Sequence, residues 1–175
     1  MTTGNEPAIH PATQIGHVHL KVSNLEQSIA FYRDVLGFEL TQRYGAQAAF
    51  LSAGGYHHHI GLNTWESQGG KPAPFGSPGL YHVAFLYPNR LELARAVRRA
   101  LQHGIQFQGA SDHGVSEALY FADPDGNGIE IYRDRARSEW PREVNGDVSM
   151  FTHALDLGDL LGELDAEDGI TPSGV

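Results

Sequence analysis

Two stretches of this chain repeat each other. Residues 15–22 (IGHVHLKV) and 80–87 (LYHVAFLY) both read as strands, and each holds a His-Val pair, His17-Val18 and His82-Val83, 65 positions apart. A helix follows each strand. The first opens on a capping box, Ser23 with Glu26, shows Leu25, Ile29, Tyr32 and Leu36 at helical spacing, and ends at Gly37. The second opens at Asn89 with Glu92 three residues on, shows Leu93, Val97 and Leu101, and ends at Gly104. Three strand-like runs follow each helix: 38–44, 48–52 and 57–64, then 105–109, 118–122 and 128–132. The order is β-α-β-β-β, twice, across a Gly/Pro-rich linker, SQGGKPAPFGSPG. The expected fold class is α+β. Neither copy alone buries both faces of a small curved sheet, so two copies are expected to pair into an open barrel-like sheet around a cavity, helices outside.

The rest of the chain is organised around that repeat. Residues 1–14 read as an irregular N-terminal arm, and 15–134 as the two-module domain, with modules at 15–66 and 79–134. Residues 135–175 are an acidic extension. They carry nine acidic and three basic residues, a net −6 of the whole chain's −9. Trp140, Met150, Phe151 and the leucines from 155 to 164 set this stretch apart from plain disorder. A short helix near 156–165 and a frayed end, GITPSGV, are expected.

Composition narrows the chemistry. There is no cysteine, so disulfides, thiolate metal sites and cysteine nucleophiles are excluded. No Lys/Arg cluster stands ready to neutralise phosphates, so no nucleic-acid partner is expected. No apolar run approaches the roughly 20 residues of a membrane span, and the start lacks the pattern of a signal peptide. The expected setting is the cytoplasm. Ten histidines remain, of the residue type that both shuttles protons near neutral pH and most often ligates metals.

Alternation sorts the strand residues. Gly16, Val18, Leu20 and Val22 share the packing face of the first strand, and Ile15, His17, His19 and Lys21 the other. In the last strand Glu130 stands between Ile129 and Ile131 and should point away from them, into the sheet interior. A buried carboxylate needs a cation, a proton or a metal. His17, His82 and Glu130 therefore come from equivalent central strands, and two imidazoles with one carboxylate make the facial triad of non-haem Fe(II) chemistry.

The strands IGHVHLKV and LYHVAF and the ending YFADPDGNGIEIY resemble the vicinal-oxygen-chelate superfamily of glyoxalase I, fosfomycin-resistance proteins and type I extradiol dioxygenases. The segments FLSAGGYHHHIGLNTW, ASDHGVSEALYFADPDGNGIEIYRDR and EWPREVNG are most similar to the N-terminal half of bacterial catechol 2,3-dioxygenases. The resemblance implies metal ligation by His17, His82 and Glu130, with Fe(II), or else Mn(II) or another divalent metal, as cofactor. It places Gly61 where glyoxalase I has a fourth ligand, which favours an open three-ligand site. It also implies a second-sphere histidine at His58, although alternation sets His57 and His59 on one face and His58 on the other. Tyr120, ten residues before Glu130, falls where extradiol enzymes hydrogen-bond the substrate oxygen. His113 resembles the second cavity histidine in part, being seven residues before Tyr120 where the family has about nine.

The implied activity is cleavage of a catechol-type ring by O₂ in a homodimer or higher homo-oligomer. The alternatives are a glyoxalase-like lyase, a fosfomycin-resistance-like transferase and a non-catalytic small-molecule binding protein. Trp65 and Phe75 are candidate cavity residues; His10, His103 and His153 are expected at the surface.

Overall fold

The computed structural model describes residues 9–167. The expected frayed end, 169–175, and the first eight residues of the arm lie outside the described residues. The first module comprises β1 (Val18–Lys21), α1 (Leu25–Ala30), β2 (Glu39–Tyr44), β3 (Ala48–Ser52) and β4 (Ile60–Asn63). The second comprises β5 (His82–Leu86), α2 (Arg90–Gln102), β6 (Gly109–Asp112), β7 (Ser116–Ala122) and β8 (Gly128–Asp134). The extension adds β9 (His153–Ala154) and α3 (Leu157–Glu167). Four strands form one sheet in the order β1-β4-β3-β2, and five form another in the order β5-β8-β7-β6-β9. In both, the first strand of the module runs parallel to the last. The repeat in the sequence is thus a repeat of topology.

The caps follow local chemistry. The Asn89 side chain accepts from the Glu92 amide at 2.9 Å, as expected for α2. On α1 the cap is Asn24, which accepts from the Gln27 amide, and not Ser23. Ser23 is engaged elsewhere: its amide donates to Asp125 Oδ1 at 3.0 Å. After Ala30 the helical path continues through Val35 in a wider turn and stops at Gly37, whose φ is +86°. Arg99 of α2 donates to the Val35 and Leu36 carbonyls at 2.9 and 2.8 Å, satisfying acceptors that a helix end leaves open. A Cβ at Gly37 would stand 2.8 Å from that guanidinium, so glycine is needed for space as well as for φ.

Strand faces sort as alternation requires. Leu20 and Val22 are buried, while His17, His19 and Lys21 are exposed. Leu51, Ile60 and Leu62 of the first sheet join Leu119, Phe121, Ile129 and Ile131 of the second in one apolar core with Ile29, Tyr32, Leu93 and Val97 of the helical segments. Buried Tyr32 ties the modules together by donating to Asp123 Oδ2 at 3.0 Å, in the DPDG turn of the second module. Helices therefore cover the faces opposite the histidines. It is the helix-covered faces that meet, however. Among the described residues of one chain, the two sheets share no ladder and close no barrel.

Two boundaries shift. The strand expected at 105–109 begins at Gly109, because pairing with β7 runs from Gly109↔Tyr120 to Asp112↔Glu117. The strand expected at 57–64 begins at Ile60. The extension is docked on the second module. β9 pairs with β6, and α3 buries Leu160 and Leu164 in the common core. Glu117, buried on β7, is gripped by Arg133 at 2.8 Å, Arg90 at 3.0 Å and Arg135 at 3.2 Å. Arg90 also reaches Asp159 and Glu163 of α3, so the acidic extension is partly held by these cations.

Candidate metal centre

The second sheet assembles one half of the site. β5 lies parallel to β8 with His82 opposite Gly128 and Ala84 opposite Glu130. A Cβ at Gly128 would stand 2.1 Å from the Tyr81 carbonyl oxygen, so only glycine lets β5 approach at this level. Side chains two apart on one strand share a face, so His82 and Glu130 meet across the pair. His82 Nε2 is 3.0 Å from Glu130 Oε2. The Glu130 side chain is 13% exposed, and buried His82 Nδ1 has no hydrogen-bond partner.

That spacing suits a shared cation. Two ligand atoms each about 2.1 Å from one ion and at right angles to it are about 3.0 Å apart. An imidazole and a carboxylate are donors for Fe(II), Mn(II) or Zn(II) alike. The pair therefore fits a divalent metal without naming it.

A chain of hydrogen bonds leads away from Glu130. Tyr120 Oη is 3.3 Å from Glu130 Oε1 and 2.9 Å from His113 Nε2. His113 Nδ1 is 3.0 Å from the Phe151 carbonyl oxygen and 3.3 Å from Thr152 Oγ1. A carbonyl only accepts, so Nδ1 carries a hydrogen. In the neutral ring, Nε2 then accepts the Tyr120 proton. In the imidazolium, Nε2 donates to Tyr120, and the phenolic proton turns to Glu130. Burial, together with the Glu130 charge and hydrogen bond, pushes the Tyr120 hydroxyl up to about 12. The phenol stays protonated at neutral pH.

The first sheet holds a histidine cluster. His17 stands just before β1, its ring 4.5 Å from that of His58. His58 packs 4.9 Å from Phe50, and its Nδ1 is 2.7 Å from His57 Nδ1. His59 turns elsewhere, to Ser52 Oγ at 2.9 Å. The irregular backbone before Ile60 thus brings His58 beside His17, the geometry that strict alternation from residue 57 would not give. Burial, then repulsion by His17 and the neighbouring histidines, lowers the pKa of His58. Burial and His17 lower that of His19.

His19 is a feature that the strand pattern placed on the site face without a role. A Cβ at Gly61 would meet its ring at 2.8 Å, so the His19 imidazole fills the space beside Gly61. Trp65, 53% exposed, lies 5.8 Å from His19, whereas Phe75 is fully exposed in the linker. The tail contacts on His113 had no signal in the sequence beyond the apolar residues of the extension. His10, His103 and His153 are exposed, as expected.

The two halves are not joined within the chain. His82, Glu130, Tyr120 and His113 come together; His17 and His58 come together apart from them. Among the described residues, no group of three or more His, Asp or Glu side chains is set to hold a metal. Nor is any helix among them long and apolar enough to cross a membrane.

Comparison with known proteins agrees with the fold. Residues 14–131 match the family model described as the Glyoxalase/Bleomycin resistance protein/Dioxygenase superfamily. The chain is 43% identical to a catechol-2,3-dioxygenase of Bacillus subtilis over 157 residues, 89% of this chain and 54% of that protein. It is 31% identical to virulence protein STM3117 of Salmonella typhimurium over 67% of this chain and 82% of that one. It thus spans about half the length of the Bacillus relative and most of the Salmonella one. A glyoxalase/dioxygenase structure from Nostoc punctiforme superposes with a TM-score of 0.61 at 20% identity, over 75% of this chain and 99% of that one. With the matching model covering well over half of its length, this chain belongs to the Glyoxalase/Bleomycin resistance protein/Dioxygenase superfamily.

Proposed function

We propose that this protein is an extradiol ring-cleaving dioxygenase that uses Fe(II) and O₂ to open a catechol-type aromatic diol. The observation that carries the reading is the continuous set His82–Glu130–Tyr120–His113, a metal-binding pair joined to a proton path. The 43% identity to a catechol-2,3-dioxygenase supports it.

His82 and Glu130 would hold the metal, with His17 as third ligand. When bound, the metal would supply Lewis acidity and a template that gathers both reactants. Tyr120, protonated and aimed between Glu130 and His113, hydrogen-bonds a substrate oxygen. His113 takes or returns a proton through Tyr120, its ring held by the tail. His58 provides a second imidazole on the His17 side, kept neutral by its surroundings and so able to accept a proton. The ring of His19 fills the space beside Gly61, so no fourth protein ligand comes from that position, and this favours the dioxygenase over a lyase. The protein works in the cytoplasm as a homodimer.

The test is oxygen uptake. Protein loaded anaerobically with Fe(II), mixed with catechols and then exposed to air, should consume oxygen and form a yellow ring-cleavage product. Uptake no faster than free Fe(II), with every catechol tried, overturns the reading.

A further inference from the structure

We propose that residues 135–154 form a clasp that fixes the His113 imidazole for proton transfer, with Gly114 and the Phe151 side chain as its positioning residues. The inference rests on the role given to His113 above. It goes beyond that role by assigning its geometry to a part of the chain that lies past the matched family region, 14–131.

The first observation is a covered hairpin tip. β6 ends at Asp112 and β7 begins at Ser116, so His113, Gly114 and Val115 make the turn between them. Loops run over the surface, and their tips are ordinarily the most open part. Here Gly114 and Val115 are buried and His113 is half-buried. What covers them is the extension. The chain leaves β8, the strand of Glu130, at Asp134. The Arg135 amide then donates to the Val115 carbonyl at 2.8 Å, and its guanidinium to Asp112 Oδ2 at 2.7 Å.

The second is a notch that only glycine provides. Gly114 has a φ of +77°. A Cβ there would stand 2.7 Å from Phe151 Cε1 and 2.8 Å from Pro141 Cγ. The Phe151 ring therefore occupies the space that a side chain at 114 would take. His153 stacks on that ring at 4.3 Å, and the Ser149 amide closes the intervening loop on the Pro141 carbonyl at 2.8 Å. Seating the ring fixes the backbone that carries it.

The third is that this backbone meets His113. The Phe151 amide donates to the His113 carbonyl at 3.4 Å, and the Phe151 carbonyl takes His113 Nδ1 at 3.0 Å. The imidazole is thus stretched between Tyr120 at Nε2 and the extension at Nδ1. Beyond Phe151 the segment is anchored. β9 pairs His153 with Asp112 and Ala154 with Ser111, and α3 buries Leu160 and Leu164.

The clasp supplies what the ladder does not. Tyr120 and Glu130 are direct partners in the β7–β8 register, so strand pairing alone brings them together. His113 lies past the end of β6, in the turn, where no pairing chooses among its side-chain rotamers. Phe151 in the Gly114 notch makes that choice.

Imidazole nitrogen NMR of the metal-free protein reads the clasp without activity. Neutral His113 should be the Nδ1–H tautomer in the wild type. Phe151→Ala and Gly114→Ala should each lose that signature, and kcat of the Fe(II)-loaded protein with catechol should fall by about 10–100-fold. Gly114→Ala also strains φ, so Phe151→Ala, which does not, decides the matter. Phe151→Leu refills the notch with an apolar branch and should restore the tautomer and most of the turnover. Val144→Ala, at a fully exposed position of the same extension, should match the wild type. An unchanged His113 signature in Phe151→Ala would overturn the proposal, as would its loss in Val144→Ala, which would mean general loosening. Wild-type protein that cleaves no catechol while its variants show these tautomer changes would remove the dioxygenase reading and leave the clasp standing.

Discussion

The His82 imidazole and the Glu130 carboxylate face each other at 3.0 Å across two parallel strands. They stand two residues out of register, and Gly128 is what allows the strands to approach. A close polar contact in a metal-free protein and a pair of ligands in a metal-loaded one need the same spacing. Glu130→Gln keeps the shape and removes the charge. Mn(II) affinity measured by calorimetry should fall at least about tenfold, while the urea midpoint of the metal-free protein shifts little.

Tyr120 is the hinge of the proposed proton path. Tyr120→Phe removes a hydroxyl that lies 2.9 Å from His113 and 3.3 Å from Glu130. Turnover should fall by about 10²–10⁴, the range for lost acid–base assistance, with Mn(II) affinity nearly unchanged. A parallel loss of metal binding would mean that the phenol serves only to position Glu130.

The Phe151 carbonyl dictates the tautomer of His113. Imidazole nitrogen NMR of the metal-free protein at neutral pH should show Nδ1 of His113 protonated, and Nε2 unprotonated in the neutral ring. An Nε2–H tautomer at this ring would contradict the tail's role.

Tyr32→Phe tests the tie between modules. The variant leaves Asp123 Oδ2 with Asn127 Nδ2 alone as side-chain donor. Denaturant unfolding should show a loss of about 1.5–3 kcal/mol, as for a buried hydrogen bond to a charged partner.

The cluster around His17 makes stability depend on pH. The folded-state pKa of His58 and of His19 is lowered, so folding disfavours their protonation. The unfolded chain then binds more protons between the folded and unfolded values. Stability of the metal-free protein is full above the ordinary histidine value near 6.5 and is lost as pH falls from there through the folded values. His58→Gln should flatten that acid limb in melts between pH 5 and 7.

The parts legible in the sequence were those set by local period. Leu20 and Val22 against His17 and His19 follow from two-residue alternation, and Asn89 caps α2 through its own next turn. What escaped depended on distant partners. Asn24 rather than Ser23 caps α1, with the Ser23 amide already bonded to Asp125 from the other module. The strand β6 starts at Gly109 since β7 fixes its register. The docking of Phe151 on His113 joins residues 38 apart with no periodic mark. His58 came to His17 through irregular backbone that strand period cannot foresee. The separation of His17 from Glu130 belongs to the packing of sheet against helix, which no single strand encodes.

Ring cleavage with ¹⁸O₂ tests the central claim most directly. Fe(II)-loaded protein given a catechol under ¹⁸O₂ in ordinary water should consume one O₂ per catechol. Mass spectrometry, read before the aldehyde oxygen exchanges with water, should find both labelled atoms in the ring-opened product. Product carrying oxygen from water in the carboxyl position, or no labelled product at all, would contradict a dioxygenase built on His82, Glu130 and Tyr120.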